Sequence, residues 1–134
     1  GSPERFDYSV LGDVVNVASR LEQLTKTYGI GIIVGEPTAK AALGLAFLEI
    51  DRVVPRGKTR AQAIYALLGD ETLARDPQFQ LLKQLFSKLR RALEKQERDE
   101  AEAAWAACRR VGLPAAEPLL VCFSDRLRSL QAGE

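Results

Sequence analysis

Two polar residues on a predicted helix have the types and the spacing to hold an anionic oxygen. Asn16 and Arg20 are four positions apart, so on a helix their side chains share one face, beside the apolar stripe. A guanidinium offers a forked pair of donors that suits phosphate, and a carboxamide next to it can help to hold the oxygen. Such pairs are also common on solvated helix faces, where the arginine meets a surface carboxylate. The spacing alone favours that second interpretation.

A basic turn is the other candidate for binding phosphate. Residues 56–60 read Arg-Gly-Lys-Thr-Arg, and the cations Arg56 and Lys58 can reach a polyphosphate. The signal is weak, because turns are usually polar and contain glycine. The segment is not a Walker loop, which needs two spaced glycines before its lysine and a helix after it.

The composition excludes several classes of function. The chain has 134 residues, about one domain, and no histidine, which excludes His-based general bases, Ser-His-Asp triads and imidazole metal sites. Nineteen Lys and Arg residues balance 18 Asp and Glu residues, so we expect no nucleic-acid partner. Cys108 and Cys122 are too few for a disulfide framework or a zinc cluster, and we expect free thiols. No apolar run is long enough to span a membrane and the start is polar, which indicates a cytoplasmic protein or the cytosolic portion of a membrane-anchored one.

The first half of the chain is predicted to mix helices and strands. An apolar stripe predicts a helix over 13–27, which ends at Gly29 in the left-handed conformation. Three β-rich runs predict strands, and the last two form a hairpin closed by the basic turn. These runs span 30–34, 46–54 and 63–68. A short helix is predicted to begin at Glu36, with Pro37 in its first turn.

After residue 70 the strand signals stop and helical stripes take over. They predict a small unit of antiparallel helices with a structural role and no part in the chemistry. The first helix begins at Asp76-Pro77, and a charged stretch over 94–102 contains a turn or a solvated segment. The later helices span 101–111, which carries Trp105 and ends before Gly112, and 119–130. We therefore predict two parts, residues 1–69 and residues 70–134.

Residues 5–22 resemble the signature of class III adenylyl and guanylyl cyclases. The segment reads RFDYSVLGDVVNVASRLE. The family signature has an aromatic residue, a base-selecting residue, two further residues, Gly-Asp, and then Val-Asn-x-Ala-Ser-Arg-Leu-Glu. Residues 28–34 resemble the next strand of the family, and residues 47–67 its closing hairpin, with Arg-Gly-Lys at a Lys-Gly-Lys-like turn. The resemblance covers residues 1–69 and implies an α+β fold, in which the C-terminal half of a ferredoxin-like cyclase domain precedes an all-helical extension.

The resemblance also implies a reaction and roles for individual residues. The reaction is the conversion of ATP to cyclic AMP and pyrophosphate, in an interface between two catalytic domains paired head to tail. Asn16 falls on the asparagine that orients the ribose, and Arg20 on the arginine that steadies the charge developing on the α-phosphate. Ser9 occupies the base-selecting position, and its hydroxyl can accept from the adenine amino group, which favours ATP over GTP. Arg56 falls where the family has a lysine that contacts the terminal phosphates, and Lys58 can substitute for it.

The metal ligands of the family lie upstream of this signature. The resemblance therefore implies that the Mg²⁺ or Mn²⁺ of the intact enzyme is held by residues that are not in this chain, and we assign no metal site. We expect the chain alone to be inactive, and to pair with the missing N-terminal half or with another copy, as a homodimer or an exchanged oligomer. A non-catalytic regulatory or dimerisation module is the alternative. The absent metal ligands favour it for this chain, whereas the presence of both Asn16 and Arg20 favours the enzyme.

Overall fold

Three antiparallel strands and the helices that follow them make an α+β fold. The computed structural model describes residues 25–26, 28–54, 57 and 59–132, with the backbone only for residues 131 and 132. The strands are β1 (Ile33–Gly35), β2 (Ala46–Val53) and β3 (Gln62–Gly69), in the sheet order β1-β3-β2. The helices are α1 (Glu36–Ala41), α2 (Glu71–Ala74), α3 (Pro77–Glu94), α4 (Arg98–Val111) and α5 (Glu117–Ala132), and a 3₁₀ turn spans Pro114–Ala116. Among these described helices, none combines the length and the apolar character that crossing a membrane requires.

The end of the first predicted helix is the first part of the chain that the structure describes. Thr25, Lys26 and Tyr28 are helical, and Gly29 follows with a φ of 68°. The N–H of Ile30 donates to the carbonyl of Thr25 at 3.1 Å, which is the hydrogen bond of a Schellman motif. The predicted helix end at Gly29 is confirmed, whereas most of the predicted helix 13–27 lies outside the described residues. Because Ile30 belongs to this motif, β1 begins at Ile33, three residues later than predicted.

A bulge in β2 changes the face on which its side chains lie. Leu48 is buried opposite Ala66, on the side of the sheet that faces the helices. The register shifts between Glu49 and Asp51, so that Asp51 stands opposite the buried Ile64. An extra residue in one strand reverses the alternation that follows it. The carboxylate of Asp51 therefore lies on the helix-facing side of the sheet.

Capping residues set the limits of the helices after residue 70. The Asp76 side chain accepts from the N–H of Gln78, and Pro77 occupies the first turn of α3, as predicted. Within the charged stretch 94–102, the break between α3 and α4 is only three residues long, 95–97. Helix α4 therefore begins at Arg98, earlier than predicted. Gly112 ends α4 with a φ of 73°, as expected for a left-handed cap.

Buried side chains of the sheet and of the helices form one continuous core. Helix α3 packs on β2, and α4 packs against both α3 and α5. The largest core residues on the helical side are Phe79, Leu82, Phe86, Leu89, Leu119 and Phe123, and on the sheet side Leu48, Ile50 and Ile64. The change from strands to helices at residue 70 is confirmed for the described residues, and the division into two domains stays a prediction.

Candidate functional site

The predicted nucleotide site lies outside the described part of the chain. Its five residues are Ser9, Asn16, Arg20, Arg56 and Lys58. Their roles stay predictions, and the structure brings none of them together. It does describe the elements on either side of them, which are the end of the predicted helix 13–27 and the two strands that flank the basic turn.

The basic turn belongs to a hairpin that the structure confirms. β2 and β3 pair antiparallel from Ala46 opposite Gly69 to Val53 opposite Gln62. Gly57 within the connection has a φ of 80° and no atom near its missing Cβ, so glycine suits this position for its backbone. The connection that contains Arg56 and Lys58 is therefore anchored at both ends by a regular ladder.

Three polar side chains from distant parts of the chain meet between the sheet and α5. We call Tyr28, Asp51 and Arg126 the Tyr-Asp-Arg cluster. The Tyr28 hydroxyl donates to Oδ2 of Asp51 at 2.5 Å, and the Arg126 guanidinium donates to the same oxygen at 2.6 Å. The same guanidinium also donates to the Tyr28 hydroxyl oxygen. Each of the three side chains therefore contacts the other two.

Aromatic rings surround the guanidinium of this cluster. Its central carbon lies 4.5 Å from the ring centroid of Phe123 and 5.3 Å from that of Tyr28. The two rings stack on each other with centroids 6.0 Å apart. Cations over aromatic faces are attracted by the ring quadrupole, so Arg126 is held by rings as well as by oxygen atoms.

The environment fixes the protonation states of the cluster. Burial and the hydrogen bond to Asp51 raise the pKa of Tyr28 well above its ordinary value. Burial alone would raise the pKa of Asp51, but hydrogen bonds from Tyr28 and Arg126 outweigh it and hold that pKa below the usual range. Burial likewise works against the charge of Arg126, but its bond to Asp51 prevails and raises its pKa. At neutral pH the cluster is an ion pair with a neutral phenol, and none of its members is poised to transfer a proton.

A second ion pair ties another helix to the same strand. Nη1 of Arg90, on α3, lies 3.0 Å from Oε2 of Glu49, and Nε of Arg52 lies 3.5 Å from that same oxygen. Glu49 and Asp51 are two residues apart on β2. The strand therefore binds one arginine from α3 and one from α5.

A groove of about 730 Å³ runs between the end of α3 and α5. Asp51, Arg90, Phe123 and Arg126 contribute to its wall. Both arginines are already paired with carboxylates of β2, so this groove is poorly suited to bind a phosphate group. Within the part of the chain that the structure describes, no three acidic, cysteine or histidine side chains are grouped to hold a metal ion.

The two cysteines are free thiols, as predicted from the sequence. Burial raises the pKa of the Cys108 thiol to about 12. Burial also raises the pKa of Cys122, which is half-buried beside the cluster. Because a thiol reacts through its thiolate, neither environment activates a nucleophile.

The sequence analysis missed the Tyr-Asp-Arg cluster. Asp51 was assigned no role, and Arg126 carried no signal beyond its place on a predicted helix. The available signal was a pair of acidic residues, Glu49 and Asp51, in a strand that is otherwise mostly apolar, because a buried carboxylate often needs a cation as a partner. No pattern in the chain identifies which of its arginines that cation is.

Three curated adenylate cyclases are similar to part of the chain. Adenylate cyclase 1 of Rhizobium meliloti is 36% identical over 70 residues, which are 52% of this chain and 10% of that protein. The adenylate cyclase of Anabaena cylindrica is 41% identical over 69 residues, 48% of this chain and 14% of that protein. The terminal-differentiation specific adenylate cyclase of Dictyostelium discoideum is 37% identical over 76 residues, 53% of this chain and 4% of that protein.

These similarities relate about half of the chain to adenylate cyclases. The chain spans only a small fraction of the length of each of these relatives, 14% at most. No family model matches the chain, and no solved structure matches it.

Proposed function

We propose that this chain is part of an adenylate cyclase whose intact form converts ATP to cyclic AMP and pyrophosphate. The observation that carries the proposal is the segment VNVASRLE, with Asn16 and Arg20 at the positions of the family's functional asparagine and arginine. The similarity to three adenylate cyclases supports it. The reaction takes place between two catalytic domains, so a second copy of the domain is the expected partner.

The residues of this chain bind and orient the nucleotide. Asn16 holds the ribose, and Arg20 stabilises the negative charge that develops on the α-phosphate. The Ser9 hydroxyl accepts from the adenine amino group, and Arg56 and Lys58 contact the terminal phosphates. This chain offers no counterpart of the family's metal ligands, and Mg²⁺ or Mn²⁺ bound by such ligands would activate the ribose hydroxyl and neutralise the leaving pyrophosphate.

The described elements suit these roles because they end in fixed positions. The helix assigned to Asn16 and Arg20 ends in a capped turn whose last residue, Tyr28, is buried. The connection with Arg56 and Lys58 joins two strands whose pairing continues to Val53 opposite Gln62, next to that connection. Charge stabilisation of a transition state requires groups that do not reorganise during the reaction.

The test is the variant Arg20→Ala in the full-length protein that contains this chain. A donor that acts mainly in the transition state lowers kcat when it is lost, by roughly 10²–10³-fold or about 2.7–4 kcal/mol, and leaves the KM for ATP little changed. The products, cyclic AMP from ATP and cyclic GMP from GTP, are quantified by mass spectrometry. The control is Arg128→Ala. It removes an exposed cation on α5 that is paired with Asp125 of the same helix, and it should leave kcat and the KM for ATP unchanged.

Two results contradict the proposal. A full-length protein that forms no cyclic nucleotide with either metal is a regulatory module and not an enzyme. An Arg20→Ala variant with unchanged kcat places Arg20 on the solvated surface of its helix, as the spacing alone suggests.

A further inference from the structure

We propose that Arg126 is a positioning residue for the proposed cyclase site. It acts from the helical part of the chain on Tyr28, the residue that ends the helix assigned to Asn16 and Arg20. This inference rests on the proposed function. It gives the helical part a role in setting the geometry of the site, where the sequence predicts a structural role alone.

The first step is the attachment of Tyr28 to its helix. Tyr28 is the last helical residue before the left-handed Gly29, and the bond from Ile30 to Thr25 closes the turn. The backbone of Tyr28 therefore moves with the helix. Arg20 is eight residues earlier, which is about 12 Å along a continuous helix at about 1.5 Å per residue. On the helix that the sequence predicts over 13–27, a displacement of the end at Tyr28 is passed on to Arg20.

The second step is that Tyr28 is held from two directions. Only 2% of its surface is exposed. Asp51, on the sheet side, accepts a hydrogen bond from the Tyr28 hydroxyl, whereas Arg126 and Phe123 contact Tyr28 from α5. Since α5 begins about ninety residues later in the chain, this contact connects the helical part directly to the end of the helix assigned to the site.

The third step is that arginine alone satisfies all of these contacts. One of its nitrogens, Nη2, donates to both Asp51 and Tyr28, while the planar guanidinium lies over two aromatic rings. A lysine ammonium is a compact, strongly hydrated charge that cannot stack in this way. Arg126→Lys keeps the charge and a donor but loses the planar group that stacks on the rings, so it separates the effect of the charge from the effect of the geometry.

Arg90 supplies a matched control for the experiment. It forms the other ion pair between a helix and β2, with Glu49, and it makes no contact with Tyr28 among the described residues. Its side chain is 17% exposed, whereas that of Arg126 is 38% exposed. If these arginines served stability alone, Arg90→Ala would therefore impair the protein at least as much as Arg126→Ala.

The experiment compares Arg126→Ala, Arg126→Lys and Arg90→Ala in the full-length protein. Because a misplacement of about 1 Å can cost about 10²-fold in rate, we expect Arg126→Ala to lower kcat by about 10- to 100-fold with little change in the KM for ATP. Arg126→Lys should recover part of this loss. Arg90→Ala should lower the melting temperature at least as much as Arg126→Ala and leave kcat near the wild-type value.

Hydrogen exchange gives a readout that does not depend on activity. Amides of residues 13–27 should exchange faster in Arg126→Ala than in the wild type, and should not change in Arg90→Ala. A wild-type protein without cyclase activity overturns the proposed function, and the exchange rates then still decide whether Arg126 fixes this helix. Equal losses of kcat in the two alanine variants, or unchanged exchange over 13–27 in Arg126→Ala, overturn the inference.

A smaller change keeps the test decisive if Arg126→Ala fails to fold. Tyr28→Phe keeps the ring on Phe123 and removes only the hydroxyl that bridges Asp51 and Arg126. It should lower kcat and speed exchange over 13–27 in the same direction, by a smaller factor. A Tyr28→Phe variant that matches the wild type in both measurements contradicts the inference.

Discussion

Phe123 lies where the sheet side and the helical side of the core meet, and its removal tests whether they unfold together. It is fully buried, and its ring lies 6.0 Å from that of Tyr28 and 4.8 Å from that of Phe86. Truncation of a buried phenylalanine to alanine costs about 3–5 kcal/mol, and aromatic pairs at such distances each contribute about 0.5–1.5 kcal/mol. We therefore expect Phe123→Ala to lower the free energy of unfolding by about 5 kcal/mol, out of a total of about 5–15 kcal/mol for a typical domain.

Urea unfolding followed by two probes measures this effect on each side of the core. The fluorescence of Trp105, the only tryptophan, reports on the helices, since its indole N–H donates to the Leu120 carbonyl at 2.8 Å. Hydrogen exchange of the β2 and β3 amides reports on the sheet. Val121→Ala, on the same helix at a position 56% exposed, is the control and should change stability by less than about 0.5 kcal/mol.

Coincident shifts of the two probes are expected, because a shared core unfolds as one cooperative unit. Should the Trp105 transition shift while the strand amides keep their protection, the two parts are independent and the reasoning from a single core is wrong. Where Phe123→Ala is too unstable to purify, Phe123→Leu applies the same comparison with a smaller loss of volume.

Two further predictions concern Asp51 and Gly29. The pKa of Asp51 is lower in the folded state, so its pair with Arg126 stabilises the fold above about pH 4, and this stabilisation is lost as the pH falls below that value. The urea midpoints of wild type and Asp51→Asn should therefore differ by a constant amount above about pH 5 and converge as the pH falls below about 4, and a difference that does not shrink there would contradict the pairing. Gly29→Ala places a Cβ 3.2 Å from Cβ of Pro118 at a φ of 68° and should cost about 1–2 kcal/mol in urea unfolding. Gly31→Ala, whose Cβ meets no atom within 4 Å, should be nearly neutral, and equal effects of the two substitutions would refute the argument.

Local signals in the sequence were sufficient for much of the fold. The left-handed Gly29, the end of α4 before Gly112 and the start of α3 at Asp76-Pro77 depend on the backbone preferences of single residues. The hairpin depends on two β-rich runs on either side of a polar turn. These features were predicted correctly because neighbouring residues alone determine them. Helix α2 follows the same rule, since Asp70 caps it, but its four residues are too few for a periodic pattern.

The face on which Asp51 lies could not be predicted in this way. Strict alternation along β2 puts Asp51 on the same face as Glu49 and on the opposite face from the buried Leu48. The bulge reverses this, and a bulge is set by pairing with β3 and packing on α3, which involve residues far apart in sequence. The candidate nucleotide site was predicted from a long sequence signature and not from a local structural rule. The spacing of Asn16 and Arg20 favours a surface pair, and only the longer signature around them predicts a nucleotide.

The ion pairs of β2 contribute more to the position of the helices than to stability. Partly exposed pairs have a small net effect on the free energy of unfolding, because desolvation offsets their attraction. Their geometry is nevertheless specific, since Glu49 binds α3 and Asp51 binds α5 at points only two residues apart on one strand. An apolar contact at either point would tolerate sliding of a helix along the sheet, whereas a guanidinium paired with one carboxylate oxygen is attracted to a single point on the strand. The pair that also holds Tyr28 therefore sets where α5 lies and, through Tyr28, where the preceding helix ends.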